Sequence, residues 1–300
     1  MVRFAISGVT TYWWLPGLVA FRISFFTSMG GLSGGFLLLP FQVSILGFNT
    51  PAVTPTNHLY NVCAIPGGVY RYIHEKRMVW PLAIATIIGT VPGLIFGAYM
   101  RVYWLNDSRD FKLFVGLVLI YIFIRLIIDI SKKKPTKANS STRGTFQVTD
   151  VGSTWKKVAY HFEGVNYGVK TIYLFLLALG VGVVGGAYGI GGGAIISPFL
   201  VAVFGLPVYT VAGAALMGTL VTSVAGVLIY AFLMPLLIPG NLISSPDWLL
   251  GLSMGVGGLI GIYLGASFQR YFPAKFIKSV IAISIGYVVV KYVGGYFFNI

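Results

Sequence analysis

The chain has 300 residues, of which 57% are hydrophobic and 9% are charged, and its mean hydropathy is +0.86. Soluble domains carry about 25% charged residues, so the composition excludes an ordinary soluble protein. The formal net charge of +14 would suit a nucleic-acid-binding protein, but most of the lysines and arginines lie in a central linker and in short loops, as on the cytoplasmic side of membrane proteins. We therefore expect contact with membrane lipids and no binding of nucleic acid.

Eight apolar regions follow one another along the chain. Each is long enough to supply the roughly 20 residues that cross a hydrocarbon core of about 30 Å. Residues 1–14 lack the pattern of a cleaved signal peptide. The sequence predicts an all-α, multi-pass integral membrane protein, and we expect it in a prokaryotic plasma membrane. The regions span roughly 15–46, 53–73, 79–100, 111–130, 169–204, 208–234, 248–268 and 276–296.

Glycine-rich runs interrupt the first and the fifth of these regions. The first run is Gly30-Gly31-Leu32-Ser33-Gly34-Gly35, and the second spans 185–193 and ends in Gly191-Gly192-Gly193. A Pro-Phe pair follows each run, at 40–41 and at 198–199. Glycine costs about 1 kcal/mol against alanine inside a helix, so two runs at matching places require an explanation. In membrane transporters that explanation is usually a solute site built from broken helices.

The two halves of the chain resemble each other. A shift of 158 residues aligns 31–72 with 189–230 without a gap and gives 11 identities in 42 positions. The sequence therefore predicts two homologous repeats of about four apolar segments, the first of each broken by a glycine-rich turn. Their boundaries give an N-terminal transmembrane repeat (1–130), a basic cytoplasmic linker (131–168) and a C-terminal transmembrane repeat (169–300).

The orientation of the repeats depends on the broken regions. If each turns back at its glycines, a repeat crosses the membrane three times and the repeats are inverted, whereas four full crossings would make them parallel. Counts of lysine and arginine in the loops barely distinguish the two arrangements. The uncharged loop 235–245 suits the outside of the membrane and favours inverted repeats.

Two further patterns predict local structure. A shift of 168 residues aligns Gly89, Gly93 and Gly97 with Gly257, Gly261 and Gly265, and this spacing places three glycines on one helix face, where a neighbouring backbone can approach closely. In the linker, apolar and polar residues alternate over 145–149 and 157–162, which predicts two short strands. The turn residues between the strands, which complete a predicted β-hairpin, are Asp150, Gly152 and Ser153.

The helix that restarts after each glycine run is a candidate anion site. Its first N–H groups lack helical partners, the macrodipole places partial positive charge there, and glycine lets an oxyanion approach the backbone. Two such starts facing each other would hold a small anion without a buried lysine, or the glycines only permit tight turns. Ser33 either donates to the anion or caps the following helix. The candidate residues are Ser33, Gly34, Gly35, Gly191, Gly192 and Gly193.

Polar residues in the second apolar segment of each repeat extend this candidate site. Asn57 and Asn61 are four residues apart and share a helix face, and Thr222 and Ser223 lie in the matching segment of the second repeat. Polar groups inside a membrane usually face a cavity or a partner helix. These side chains therefore either bind the anion or join neighbouring helices.

Two ionisable residues are candidates for coupling or gating. His58 can titrate near physiological pH and so couple proton movement to transport, or it is a buried structural residue. Arg22 lies between Phe21 and Ile23 and either attracts anions or extends its side chain to the lipid head groups.

The glycine motifs also resemble those of the sulfite exporter TauE/SafE family. The resemblance is carried by Gly189-Ile190-Gly191-Gly192-Gly193 with Pro198, and more loosely by the run ending in Gly34-Gly35 with Pro40. It covers both repeats and implies a permease, expected to be an exporter, for sulfur-containing anions such as sulfite, thiosulfate or organosulfonates. It implies no particular substrate among them, and a homo-oligomer remains open.

Two other functions compete with transport. An intramembrane enzyme would use His58, Asn57 and Cys63, but no carboxylate or nucleophile motif adjoins them, and the sequence has neither a phosphate-binding loop nor a His/Cys metal cluster. We therefore expect no enzymatic activity, no cofactor and no metal site. An accessory membrane subunit without transport activity is the second alternative.

Overall fold

The computed structural model describes residues 1–29, 32–131, 148–154, 156–162, 164–237, 244–268 and 274–298. The described part is mostly helical, as predicted for a multi-pass membrane protein. Within the described ranges, six helices are long and apolar enough to cross a membrane. Five exposed tryptophans provide an aromatic surface of the kind found at membrane interfaces, and they are Trp13, Trp14, Trp80, Trp104 and Trp248.

The N-terminal half begins with a short antiparallel pair, β1 (Val2–Arg3) and β2 (Thr10–Thr11). Six helices follow: α1 (Leu15–Met29), α2 (Gly35–Ser44), α3 (Val53–Ala64), α4 (Pro66–His74), α5 (Trp80–Tyr103) and α6 (Ser108–Ser131). The second predicted region, 53–73, is therefore divided into α3 and α4. Pro66 explains the division, because proline has no N–H to donate to the preceding turn, although Ile65 before it keeps helical backbone angles of φ −78° and ψ −28°.

The C-terminal half contains the remaining helices. They are α7 (Thr171–Tyr188), α8 (Gly193–Ala202), α9 (Val208–Leu228), α10 (Met234–Leu237), α11 (Trp248–Phe268), α12 (Ala274–Val289) and α13 (Gly295–Phe298). Two π-helical turns, Ile229–Leu233 and Val290–Gly294, continue α9 into α10 and α12 into α13.

Both predicted helix breaks are present. Helix α1 ends at Met29, before its glycine run, whereas α7 continues through Gly185 and Gly186 to Tyr188. The helices that follow begin within the runs, at Gly35 and at Gly193. In the second break, Gly189, Gly191 and Gly192 have φ values of +83°, +64° and +77°. L-residues with a Cβ rarely adopt this left-handed region, which explains why three glycines occur there.

The glycine stripes predicted on α5 and α11 lie in helix interfaces. A Cβ added at Gly89 would lie 2.6 Å from the Cβ of Ala178 on α7, and one at Gly97 would overlap the carbonyl of Val183. On α11, a Cβ at Gly257 would overlap the carbonyl of Gly17 on α1. The predicted close approach of a neighbouring backbone is confirmed on both helices.

Helices of one half pack mainly against helices of the other half. Helix α5 of the first half packs along α7 of the second, and α11 of the second half packs along α1 of the first. The same reciprocity relates α3 with α11 and α5 with α9, while α3 and α9 contact each other in the centre. These pairings place the two breaks in the same interior region. The inverted orientation of the repeats stays a prediction.

The linker forms a three-stranded antiparallel sheet where the sequence predicts a hairpin. Its strands are β3 (Thr149–Thr154), β4 (Lys157–Phe162) and β5 (Val165–Lys170), with β4 in the centre. The predicted second strand coincides with β4, the predicted turn residues lie in β3, and residues 145–147 lie outside the described part. The hydroxyl of Tyr160 lies 2.7 Å from Oγ1 of Thr210, so the sheet is joined to the start of α9.

Candidate functional site

One asparagine contacts both helix breaks. The Nδ2 of Asn57, on α3, donates to the carbonyl oxygen of Gly35 at 2.9 Å and to that of Gly189 at 3.0 Å. Its Oδ1 accepts a hydrogen bond from Nε2 of Gln42 at 3.2 Å. The side chain is fully buried, so one amide group ties the start of α2 in the first half to the end of α7 in the second.

A second hydrogen bond joins the breaks, with its donor in the second half of the chain and its acceptor in the first. Tyr188, the last residue of α7, donates its hydroxyl to the carbonyl of Phe36 in the first turn of α2 at 2.7 Å. These bonds bring the start of α2 next to the end of α7, and the predicted facing of the two helix starts stays a prediction. Whether an anion binds there is addressed below.

Break two is the segment 189–193 between α7 and α8, and hydroxyl groups of α9 pack against it. Thr222 donates to the carbonyl of Gly191 at 2.8 Å and to that of Gly218 at 2.7 Å. A Cβ added at Gly191 would lie 2.7 Å from Oγ of Ser223, and one at Gly193 would overlap Oγ1 of Thr219. Thr222 and Ser223 thus adjoin the glycines with which the sequence analysis grouped them.

Break one is the segment that leads from α1 into α2 and ends at Gly35, and it packs against α1 and α3. A Cβ added at Gly34 would lie 2.7 Å from the Tyr60 hydroxyl, which itself lies 2.7 Å from Oγ of Ser24. At Gly35 the same Cβ would lie 3.1 Å from Oδ1 of Asn61. In both breaks the glycines therefore serve close packing in this conformation, and polar side chains provide the surface that faces them.

Several buried polar atoms near break one have no hydrogen-bond partner among the described residues. They include Oγ of Ser33, Oδ1 of Asn61 and Oε1 of Gln42. A buried polar atom left without a partner costs about 1–3 kcal/mol. Three such atoms around one break are the strongest indication in the described chain of a place where a polar solute belongs.

Ser33 does not cap the following helix. The N-cap of α2 is Gly34, and no side chain makes a capping hydrogen bond there. Of the two roles left open for Ser33, capping is not seen among the described residues, and its buried hydroxyl has no hydrogen-bond partner among them.

His58 connects the two halves of the chain. Its Nδ1 lies 3.3 Å from Oγ of Ser223 on α9, and a Cβ added at Gly226 would lie 2.7 Å from the imidazole ring. Nε2 makes no hydrogen bond of good geometry, although the carbonyl of Gly186 interacts with the ring. The structure therefore places His58 on α3 beside break two, buried between the halves.

Arg22 lies outside this buried cluster. Its side chain is exposed on α1, although Ser24 two residues later is buried. An exposed arginine on an apolar helix is in the position expected for a side chain that extends to the lipid head groups.

Three buried residues in or near the site were not predicted from the sequence. Gln42 orients Asn57, Tyr60 covers Gly34, and Arg101 is fully buried near break two. Gln42 lies in a mostly apolar stretch, whereas Tyr60 lies three residues after Asn57 and could have been suggested by that spacing. Arg101 lies in the last turn of α5, and its burial depends on side chains from other elements.

Carboxylates are scarce in this region. Asp247 is buried, but its oxygens accept from backbone N–H groups, at 2.9 Å from Ser7 and at 3.2 Å from Leu250 in the first turn of α11. Among the described residues, no group of three or more His, Cys, Asp or Glu side chains could hold a metal ion. Among the described residues, the side-chain hydrogen bonds to the carbonyls of the breaks come from amides and hydroxyls.

Comparisons with known proteins assign the chain to a family. The family described as sulfite exporter TauE/SafE matches residues 17–292. The chain is also similar to the probable membrane transporter protein YunE of Bacillus subtilis (strain 168), with 26% identity over 277 residues that cover 89% of this chain and 91% of that protein. No solved structure gives a significant match. The extent of the family match indicates a multi-pass membrane transporter rather than an enzyme: the chain belongs to the sulfite exporter TauE/SafE family.

Proposed function

We propose that this transporter exports small sulfur-containing oxyanions, such as sulfite or an organosulfonate, and that it holds the anion where the two helix breaks meet. The observation that carries the proposal is the amide of Asn57, which reaches both Gly35 and Gly189. A group in contact with both breaks is also in a position to contact a solute held between them.

Neutral hydrogen-bond donors supply the recognition in this proposal. The hydroxyl of Ser33 and the amide of Asn61 lie at break one, and the hydroxyls of Thr222 and Ser223 lie at break two. A hydrogen bond to a charged acceptor contributes about 1.5–3 kcal/mol. Two or three such bonds, together with the helix N-termini, would bind an oxyanion and still release it.

The bonds between the halves suggest how the site opens. Asn57 to Gly189, Tyr188 to Phe36 and His58 to Ser223 all join one half to the other. Rocking of one half against the other would break these bonds and expose the Asn57 N–H groups to a solute. The anion would then replace the protein carbonyls as their acceptor.

Transport by purified protein tests the proposal. In proteoliposomes loaded with sulfite, radiolabelled sulfite added outside should accumulate by counterflow and be recovered chemically unchanged. Recovery of a converted product would instead indicate an intramembrane enzyme. Absence of flux for sulfite, thiosulfate and organosulfonates alike would indicate an accessory subunit. A homo-oligomer is not required by the proposal.

A further inference from the structure

One buried cation lies outside the set of residues assigned to the breaks. Arg101, in the last turn of α5, has no exposed surface. Its Nε donates to Oγ1 of Thr54 at 3.3 Å, Nη2 donates to the carbonyl of Thr50 at 3.5 Å, and Nη1 donates to the carbonyl of Leu105. The guanidinium carbon lies 3.7 Å from the centroid of the Phe111 ring.

All of these partners are neutral. Within the described ranges, the ion pairs are those of Glu75 with Arg71 and Arg77, so Arg101 has no carboxylate partner there. Removing a charge from water costs several kcal/mol unless an opposite charge compensates for it. The three hydrogen bonds use three of the five N–H donors of a guanidinium. Both the charge and two donors therefore remain for an anionic ligand.

A short chain of hydrogen bonds connects Arg101 to break two. Thr54 accepts from Arg101 and donates its own hydroxyl to the carbonyl of Ala187 at 3.1 Å. Ala187 precedes Gly189, the first left-handed glycine of the break, by two residues. The guanidinium is thus one side chain away from the break.

The position of Arg101 along α5 places it towards one side of the membrane. Helix α5 begins at Trp80, just after Lys76, whose carbonyl accepts from the backbone N–H of Val148 at the edge of the linker sheet. The helix has 24 residues and at 1.5 Å per residue is about 36 Å long. Arg101 therefore lies near the end of the membrane domain that is opposite the linker.

We propose that Arg101 binds the anion on its passage between break two and the side opposite the linker, and that its charge makes the transporter prefer doubly over singly charged oxyanions. This inference rests on the proposed function, since it names a second residue group for the same solute. Guanidinium suits the task because its planar fork matches two oxygens of a sulfur oxyanion.

Binding of two anions of fixed charge tests the inference. Thiosulfate carries two negative charges at neutral pH and methanesulfonate carries one, so titration of the ligand does not complicate the comparison. We expect the purified full-length protein to bind thiosulfate more tightly. Arg101→Met should weaken thiosulfate binding by about ten- to a hundredfold and methanesulfonate binding by less, so that the preference falls at least several-fold. Arg101→Lys keeps the charge and should retain part of it.

Arg109→Met is the matched control. Arg109 lies in the first turn of α6, near the same end, and its guanidinium carbon lies 4.7 Å from the Tyr296 ring centroid while Nη2 donates to the carbonyl of Tyr296 at 3.0 Å. Because Arg109 is exposed, its replacement should leave both affinities unchanged. Arg101→Gln, which keeps amide donors without the charge, serves if Arg101→Met unfolds.

The outcomes separate the inference from the proposed function. If either uncharged variant is folded and keeps the wild-type ratio of the two affinities, the role of Arg101 is wrong and the break site stands. An equal loss of both affinities, accompanied by a lower unfolding temperature, shows that Arg101 only fastens α5 to α3 and also overturns the inference. Failure of the wild-type protein to bind either anion overturns both proposals.

Discussion

The Nδ2 of Asn57 lies 3.0 Å from the carbonyl oxygen of Gly189, and this hydrogen bond joins the two halves of the transporter at their helix breaks. The Gly189 carbonyl belongs to the left-handed residue that ends α7. The same amide nitrogen bonds Gly35 in its own half. The relative position of the two breaks therefore depends on this buried side chain together with the hydrogen bond from Tyr188 to Phe36.

Asn57→Leu should lower both stability and transport. The change removes the Asn57 bonds to the carbonyl of Gly35 and to the amide of Gln42, and it leaves the Gly189 carbonyl with only the long bond from Asn61. Unpaired buried polar groups cost about 1–3 kcal/mol each. We expect a destabilisation of about 2–5 kcal/mol and loss of sulfite counterflow. Thermal unfolding in detergent and counterflow at equal membrane abundance measure the two effects.

Asn61→Leu is the natural comparison for Asn57→Leu. Its only hydrogen bond among the described residues is a long one, 3.4 Å to the same Gly189 carbonyl, and its Oδ1 has no partner. Asn61→Leu should therefore weaken sulfite binding with a smaller loss of stability than Asn57→Leu. If Asn57→Leu has the unfolding temperature and the sulfite flux of the wild type, the bridge between the breaks has no functional importance.

Ser33→Ala should separate binding from stability. Because the Ser33 hydroxyl has no hydrogen-bond partner in the described part of the chain, its removal should leave the unfolding temperature unchanged or slightly raised. If the hydroxyl donates to the anion, sulfite affinity should fall by about three- to tenfold, which corresponds to a hydrogen bond of about 1 kcal/mol. Ser24→Ala, which removes a 2.7 Å bond to Tyr60, should lower stability instead. Unchanged sulfite affinity in Ser33→Ala would exclude its hydroxyl from the site.

Glycine substitutions test the breaks with a matched control. Gly192 has φ of +77°, and a Cβ there would lie 3.1 Å from Cγ1 of Val181. Gly205 also has positive φ, +65°, but a Cβ there meets nothing within 4 Å. Both alanine variants carry backbone strain of about 1 kcal/mol, so they differ mainly in location. We expect Gly192→Ala to reduce sulfite flux strongly and Gly205→Ala to keep most of it.

Larger side chains extend the same test. Gly192→Leu and Gly34→Leu should abolish flux while the protein still inserts into the membrane, since the added atoms displace the side chains that pack against each break. For Gly34 the φ of −69° is ordinary, so the effect comes from crowding of Tyr60, Ser24 and Ile23. Wild-type flux in both leucine variants, at equal abundance, would rule out a solute at the breaks.

The breaks and their neighbours were predictable because their causes are local. Left-handed φ at Gly189, Gly191 and Gly192 requires glycine, and the four-residue spacing of Asn57 and Asn61 fixes a common helix face. These features are determined within a few residues of the chain, so they can be predicted from the sequence.

Other features depend on distant residues and could not be predicted. Arg101 resembles a helix-end cation in sequence, and its burial results from Thr50, Thr54 and Phe111 on other elements. Strand β5 was missed because Val165–Lys170 runs directly into the apolar sequence of α7 and has no turn residue to separate them. Tertiary partners, not local preference, determine both.

His58→Gln should change the pH dependence of transport if the imidazole couples proton movement to the anion. Glutamine retains a polar group near Ser223, which lies 3.3 Å from Nδ1, but does not titrate. His161→Gln is the control, since His161 lies on the linker sheet and pairs with Asn166 at 2.8 Å. Sulfite flux measured from pH 5.5 to 8 should differ from wild type in the first variant only. Identical profiles in all three proteins would make His58 a packing residue.

Tyr160 should make the attachment of the linker sheet sensitive to high pH. Burial raises the pKa of its phenol from the usual 10 to about 12, with a smaller opposing effect of the hydrogen bond to Thr210 and a further increase from Tyr167. Because the folded state holds this proton more tightly than the unfolded state, the stabilisation is complete below pH 10 and is lost as the pH rises through 12. Tyr160→Phe removes the 2.7 Å bond to Thr210 and should cost about 1 kcal/mol at neutral pH.

Hydrogen exchange of β4 measures this effect. Protection of residues 157–162, compared between wild type and Tyr160→Phe, should differ at pH 8 and converge as the pH approaches 12, because the wild-type bond is lost on ionisation. Tyr167→Phe keeps the ring that stacks on Tyr160 at 5.6 Å and should behave like wild type. A difference that persists unchanged to pH 12 would show that the bond to Thr210 does not hold the sheet, and that the buried apolar face of Val158 and Phe162 does so alone.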